Sequence, residues 1–247
     1  MLSYAHTAGP VSSPTLILLH PAGESRHAWT PHVERLTPDY RVVTVDLPGH
    51  GRHPDASFSF ERAVDDVGHI LDEAGPAVLA GHSQGGYVAI RAAAAHADRV
   101  DGLVLAGSAY DWRAPRMLVL SAAFVPLSVL LGAASHVGPL CGRYEARFED
   151  RSPAQTPPPD VDTRPELRGT ATAMRATAFQ DTWPLVERYD GPVHLVHGTE
   201  EPAAEHVERL ADRVDAAVDW LDGDHHRPVR EPAPFTTVLR DFLGTVY

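Results

Sequence analysis

AVLAGHSQGGYVA, residues 77 to 89, couples an apolar run directly to Gly-His-Ser-Gln-Gly and then to small, helix-forming residues. Ala77-Val78-Leu79-Ala80 has no polar alternation, the pattern of a strand covered on both faces. From Gly85 onward, Tyr87, Val88, Ile90 and alanines running to Ala95 suit a helix. Ser83 stands on the turn between them, with Gly81 and Gly85 two residues away on either side. A serine on so tight a strand-to-helix turn is held at strained dihedrals, and small neighbours are needed for the chain to pass.

Working outward, the same punctuation recurs. Thr15–Leu19 is apolar and runs into His20-Pro21-Ala22-Gly23, and the β-branched Arg41–Val45 runs into Asp46-Leu47-Pro48-Gly49-His50-Gly51. Val100–Ala106 ends in Gly107-Ser108, and further strands are predicted at 193–197 and 218–221. Apolar residues at Val64, Val67, Ile70 and Leu71 recur at helical spacing within 60–74, and helical patterns follow at 205–213 and 234–243. Strands alternating with helices over short links predict an α/β domain: a mostly parallel, twisted sheet with helices on both faces. Residues 110–182 break the alternation. They hold an uncharged stretch at 117–137 (MLVLSAAFVPLSVLLGAASHV), a proline-rich stretch at 152–165 and a helical pattern at 167–179. We read 110–182 as a helical cap or lid inserted into a core domain made of 1–109 and 183–247.

Composition narrows the class. At 247 residues, 43% hydrophobic and 22% charged, the chain can bury a core without staples. A net charge of −12 argues against a nucleic-acid partner, whose phosphates require basic patches. All 21 basic residues are Arg, which we read as composition bias. The one cysteine, Cys141, allows no intrachain disulfide and fits a reducing compartment. The N-terminal MLSYAHTAGP lacks the basic and apolar regions of a signal peptide, so a cytoplasmic location is expected. The stretch at 117–137 is long enough to cross a membrane, but Pro126, Gly132, three serines and His136 favour a buried helix or a lid over a stable span. An exposed apolar face there would suit a homodimer.

In open parallel sheets ligands bind beyond the carboxyl ends of the strands, and every unusual loop in this chain falls at such an end. Gly81-His82-Ser83-Gln84-Gly85 fits the G-x-S-x-G pattern in the strand–turn–helix context its chemistry requires. Together with LILLHPAG, VDLPGHG, HLVHGTEEP and GDHHRPVREPAPF, it resembles the α/β-hydrolase superfamily across nearly all of the chain outside 110–182. That resemblance implies a serine hydrolase with its cap after the sixth strand of the fold, and it needs no cofactor and no metal.

A serine hydroxyl needs a base within hydrogen-bond reach and an acid that orients the base. By resemblance the nucleophile is Ser83. The base lies in Gly223-Asp224-His225-His226, where spacing favours His225 over His226. The acid maps to Glu201, three residues beyond Gly198, although the family more often carries Asp there; Asp111 and Glu200 are the alternatives. The resemblance also implies oxyanion donors at the backbone N–H groups of Ala22 and Gln84. Pro21, Trp29, Tyr87, Trp112 and Phe124 are candidates for the substrate pocket, Trp183 is an aromatic weighed with them, and His50 and His82 are read as structural. The pair His225-His226 lacks a third ligand at metal spacing. The expected substrate is a small, apolar carboxylic ester, lactone or thioester. A carbon–carbon bond hydrolase, a hydroxynitrile-lyase-like enzyme and a non-catalytic ligand-binding protein are the alternatives.

Overall fold

The computed structural model describes residues 2–53, 55, 57–134 and 167–247. Its strands are β1 (Ala5–Ala8), β2 (Thr15–Leu19), β3 (Arg41–Val45), β4 (Ala77–His82), β5 (Val100–Ala106), β6 (Val193–Gly198) and β7 (Ala217–Leu221). Its α-helices are α1 (Thr30–Leu36), α2 (Phe60–Ala74), α3 (Gln84–Ala95), α4 (Pro115–Ala134), α5 (Leu167–Thr177), α6 (Trp183–Val186), α7 (Ala204–Val214), α8 (Arg227–Arg230) and α9 (Pro232–Val246). The strands form one sheet in the order β1-β3-β2-β4-β5-β6-β7. Only β1 runs antiparallel to its neighbour.

The uniformly apolar strands follow from burial on both faces. Along β2, Ile17 and Leu19 join one core cluster while Leu16 and Leu18 join the other. In β4, Leu79 and Val78 divide the same way, and in β5 Leu103 and Leu105 oppose Val104 and Ala106. A side-chain period of two therefore places apolar groups against helices above and below the sheet, each fully buried Leu contributing roughly 1.5–3 kcal/mol. Helix α2 starts where the Ser59 hydroxyl accepts from the Arg62 N–H and stops at Gly75, whose φ is 84°.

Chain direction along the sheet reverses around β2: β3 pairs with one edge and β4 with the other. This is the topological switch of an open sheet, and the crevice it opens lies beyond the carboxyl ends of β2 and β4. Leu19 is paired with Gly81 there, so the loop after His20 and the turn at Ser83 emerge side by side.

Two sequence expectations are corrected. The helical insertion leaves the sheet after the fifth strand, not the sixth, because the short β1 is the one strand described ahead of the parallel series. Residues 117–134 of the uncharged stretch do lie in a helix, α4, that is long and apolar enough by length and composition to cross a membrane. Of the two readings given for it, a buried helix or a lid, it departs from the first. Met117, Ser121 and Ser128 face inward, while Val119 and Leu130 are 72% and 67% exposed, because α5 covers α4 along one side. Cys141 and the proline-rich stretch 152–165 lie outside the described residues.

Helix α5 is seated on the sheet domain by close backbone approach. A Cβ on Gly169 would lie 1.8 Å from the Gly49 carbonyl oxygen, so a glycine is required at the crossing. The Phe58 N–H donates to Thr172 Oγ1 at 2.8 Å, and the Trp183 indole N–H donates to the Ala109 carbonyl at 3.1 Å where the segment returns.

Candidate active site

The turn at Ser83 has φ 51° and ψ −114°, a strained backbone for a residue with a side chain. Its neighbours explain how the turn is accommodated. A Cβ on Gly81 would lie 2.3 Å from the Gly85 carbonyl carbon, and one on Gly85 would lie 2.1 Å from the Leu19 carbonyl oxygen. The Ser83 N–H donates to the Ala106 carbonyl at 2.8 Å, tying the turn to β5. Helix α3 begins at Gln84, so the N–H groups of its first turn gather there, those of Gly86 and Tyr87 donating to the Ser83 carbonyl.

The loop after β2 approaches the same point. The His20–Pro21 peptide is trans, as are the other described peptide bonds. His20 Nδ1–H donates to the Pro21 carbonyl at 2.8 Å, and its Nε2 accepts from the Leu47 N–H at 3.0 Å. His50 repeats the arrangement: Nδ1–H donates to Pro48 and Nε2 accepts from the Gly23 N–H at 3.2 Å. Each ring is thus held neutral in one tautomer, and burial lowers their pKa values to about 4 and about 3. These two histidines fix the Pro21-Ala22-Gly23 backbone. Pro21 is buried and Ala22 half-buried at the edge of the core cluster shared with α3.

Of the carboxylates weighed, it is Glu201 that reaches His225: Nδ1 lies 2.5 Å from Oε2. The loop after β6 buries this carboxylate and saturates it. The Gly198 N–H donates to Oε1 at 2.8 Å, His197 Nδ1 stands 3.6 Å from Oε1, and the Tyr110 hydroxyl donates to Oε2. Burial alone would raise the Glu201 carboxyl, but the hydrogen bond and charge of His225 and the Tyr110 donor hold it below the usual carboxylate range. Asp111 turns away, its Oδ2 3.2 Å from Arg209, and Glu200 is exposed. His226 is exposed beside His225, with ring centroids 5.4 Å apart.

Three contacts around His225 were not visible in the sequence. Tyr110 is one. His82 is the second, donating from Nε2 to the His225 carbonyl at 2.6 Å. Gly107 is the third: at φ 57° it lies flat against the imidazole, where a Cβ would be 2.7 Å from His225 Cε1. The glycine after β5 was the one available signal, since a glycine at a strand end marks close backbone approach.

The aromatic candidates divide between the two sides of the sheet. Trp112 donates from its indole to the Tyr87 hydroxyl at 2.7 Å, and its ring lies 5.6 Å from Phe124 on α4. Trp29 is a correction. It is fully buried on the opposite sheet face, stacked 5.8 Å from Phe235, because α1 and α9 pack there. On the near side Gln84 is buried, with Oε1 2.5 Å from the Thr177 hydroxyl of α5.

The chain is similar to known proteins in sequence and in fold. A family model described as "Alpha/beta hydrolase family" matches residues 16–238. A pimeloyl-[acyl-carrier protein] methyl ester esterase of Neisseria meningitidis serogroup A is 42% identical over 92 residues, covering 37% of this chain and 29% of its own length. One from Vibrio vulnificus is 37% identical over 117 residues, 44% of this chain and 45% of its own. The chain thus spans less than half the length of these two relatives. The solved structure of MenH from S. aureus shares the fold over 99% of both chains, with a TM-score of 0.79 at 17% identity.

Proposed function

The chain belongs to the alpha/beta hydrolase family, and from that footing we propose that it hydrolyses a small, apolar carboxylic ester through an acyl-enzyme on Ser83. The observation that carries this reading is the 2.5 Å hydrogen bond from His225 to the buried Glu201, beside a serine held at positive φ on the turn after β4. His225 Nε2 removes the Ser83 proton as Oγ attacks the ester carbonyl. The imidazolium that forms is stabilised by Glu201, and its proton passes to the departing alcohol. Water then attacks the acyl-enzyme, with His225 taking its proton and returning one to Ser83 Oγ. The backbone N–H groups of Ala22 and Gln84 stabilise the oxyanion, each donor being worth roughly 2.7–4 kcal/mol of barrier.

The helices between β5 and β6 serve as the cap, and the apolar character of α4 supports an apolar acyl or alkyl group. Methyl esters of acyl chains, the substrate type in the names of the Neisseria and Vibrio relatives, are the natural first choice. A cytoplasmic location goes with this reading.

The test is hydrolysis of p-nitrophenyl esters from acetate to decanoate alongside fluorophosphonate labelling, with Ser83→Ala as the control. Turnover and labelling that both vanish in Ser83→Ala are expected. Full hydrolysis by Ser83→Ala would remove the reading.

A further inference from the structure

Glu201 Oε2 receives two donors, His225 Nδ1–H and the Tyr110 hydroxyl. Tyr110 is itself buried, and both burial and the charge of Glu201 raise its pKa, so it is a phenol and a donor throughout the neutral range. It stands just past the end of β5, where the chain leaves the sheet for α4, and its ring meets Trp112, which in turn meets Phe124 on α4. A carboxylate oxygen that shares its charge between two donors pulls less on each.

We propose that Tyr110 is a positioning residue for the reaction: by donating to the oxygen that holds His225, it fixes the Glu201 carboxylate and sets how strongly His225 retains its proton. This inference rests on the hydrolase reading above. The remaining titratable neighbours do not supply the same control. His197, from β6, faces the other carboxylate oxygen and is kept neutral by burial. His82, from β4, reaches the His225 main-chain carbonyl, and burial keeps it neutral as well. Tyr87, from α3, feels the Glu201 charge while its hydroxyl accepts from Trp112. His226 meets the His225 ring edge-on.

The sign follows directly. Removing the Tyr110 hydroxyl concentrates charge on Oε2, strengthens the hold on Nδ1–H and makes His225 easier to protonate. His225 must be neutral to activate Ser83, so the acid limb of the pH profile moves up. The readout is the second-order rate of Ser83 labelling by a fluorophosphonate from pH 5 to 9, which needs no knowledge of the natural substrate. Tyr110→Phe keeps the ring, and its acid-limb midpoint is expected to rise by roughly half a pH unit. Replacing the seven tyrosines by 3-fluorotyrosine makes the phenol a stronger donor in the unmutated sequence, and the midpoint should fall. It should not fall when Tyr110→Phe is fluorinated in the same way. A lost packing contact would slow labelling at every pH but leave the midpoint in place. Midpoints that stay put in both proteins overturn the role of Tyr110 and leave the hydrolase reading intact. Wild type that does not label at all overturns that reading, and this inference with it.

Discussion

His82 Nε2 lies 2.6 Å from the main-chain carbonyl oxygen of His225, so the residue preceding Ser83 grips the backbone of the proposed base. A carbonyl can only accept, which makes Nε2 the protonated nitrogen; burial keeps the ring neutral, with nearby His225 and His226 adding to the effect. Replacing His82 by Ala leaves that carbonyl without its donor and opens a void between β4 and the loop after β7. The expected loss is about 1–3 kcal/mol of stability and a labelling rate at Ser83 lowered at least about tenfold through misplacement of the base. Thermal melts and fluorophosphonate kinetics measure the two separately. Wild-type kinetics in His82→Ala would show that the grip is dispensable.

The choice of acid gives a second prediction. Glu201→Gln should lower ester turnover by about four orders of magnitude, as an amide in this place favours the wrong imidazole tautomer. Asp111→Asn should change turnover by less than about threefold, since its carboxylate pairs with Arg209 in partly exposed surroundings. Comparing kcat for both variants on one p-nitrophenyl ester decides the matter, and equal losses would remove Glu201 from its proposed place.

These contrasts mark what could be read from the chain alone. The parallel strands were legible because residues such as Ile17 and Leu18 face opposite sides of a doubly covered sheet, which leaves uninterrupted apolar runs. The four-residue β1 (AHTA) was not, since half of it is exposed and its only reason to be a strand is the edge of β3. Ser83, Glu201 and His225 are local signals at strand ends. Tyr110 and His82 act through contacts that join distant parts of the chain, and no spacing encodes those. Trp29 was misplaced because a sequence distinguishes an aromatic near a strand end from one behind the sheet only once α1 is docked.

Gly169→Ala separates helix propensity from fit. Alanine favours a helix by roughly 1 kcal/mol over glycine, so an unconstrained site would be stabilised. Here the added Cβ would meet the Gly49 carbonyl oxygen at 1.8 Å, and α5 must move off the loop after β3. A net loss of about 1–3 kcal/mol is expected. Because α5 also carries Thr177 to the Gln84 side chain, the ester chain-length preference should shift as well. An increase in Tm would contradict the crossing.

Acid should destabilise the fold through its buried histidines before it reaches the carboxylates. His20 and His32 are lowered to about 4 and His50 to about 3, each by burial, against an ordinary value of 6.5. Lowered values mean that the unfolded chain binds more protons than the folded one between those limits, so stability rises with pH across that window and is lost as pH falls from about 6.5 toward 4. Protonation would also cost His20 and His50 the acceptor nitrogens that hold the Leu47 and Gly23 N–H groups, loosening the loop at Ala22. Glu201, whose folded value is depressed, adds its own loss only below the ordinary carboxylate range. At about 1.4 kcal/mol per pKa unit, each of the three histidines amounts to roughly 3 kcal/mol by pH 4, and together they are on the order of 10 kcal/mol. Melting curves from pH 8 to 4 should show a level Tm above neutrality and a steep decline below pH 6.5. His32→Gln, which can still donate to the Pro228 carbonyl but cannot take up a proton, should shallow that decline by about one histidine's share. A Tm that holds level to pH 4.5 in the wild type would mean that these rings are reached by solvent in the folded protein.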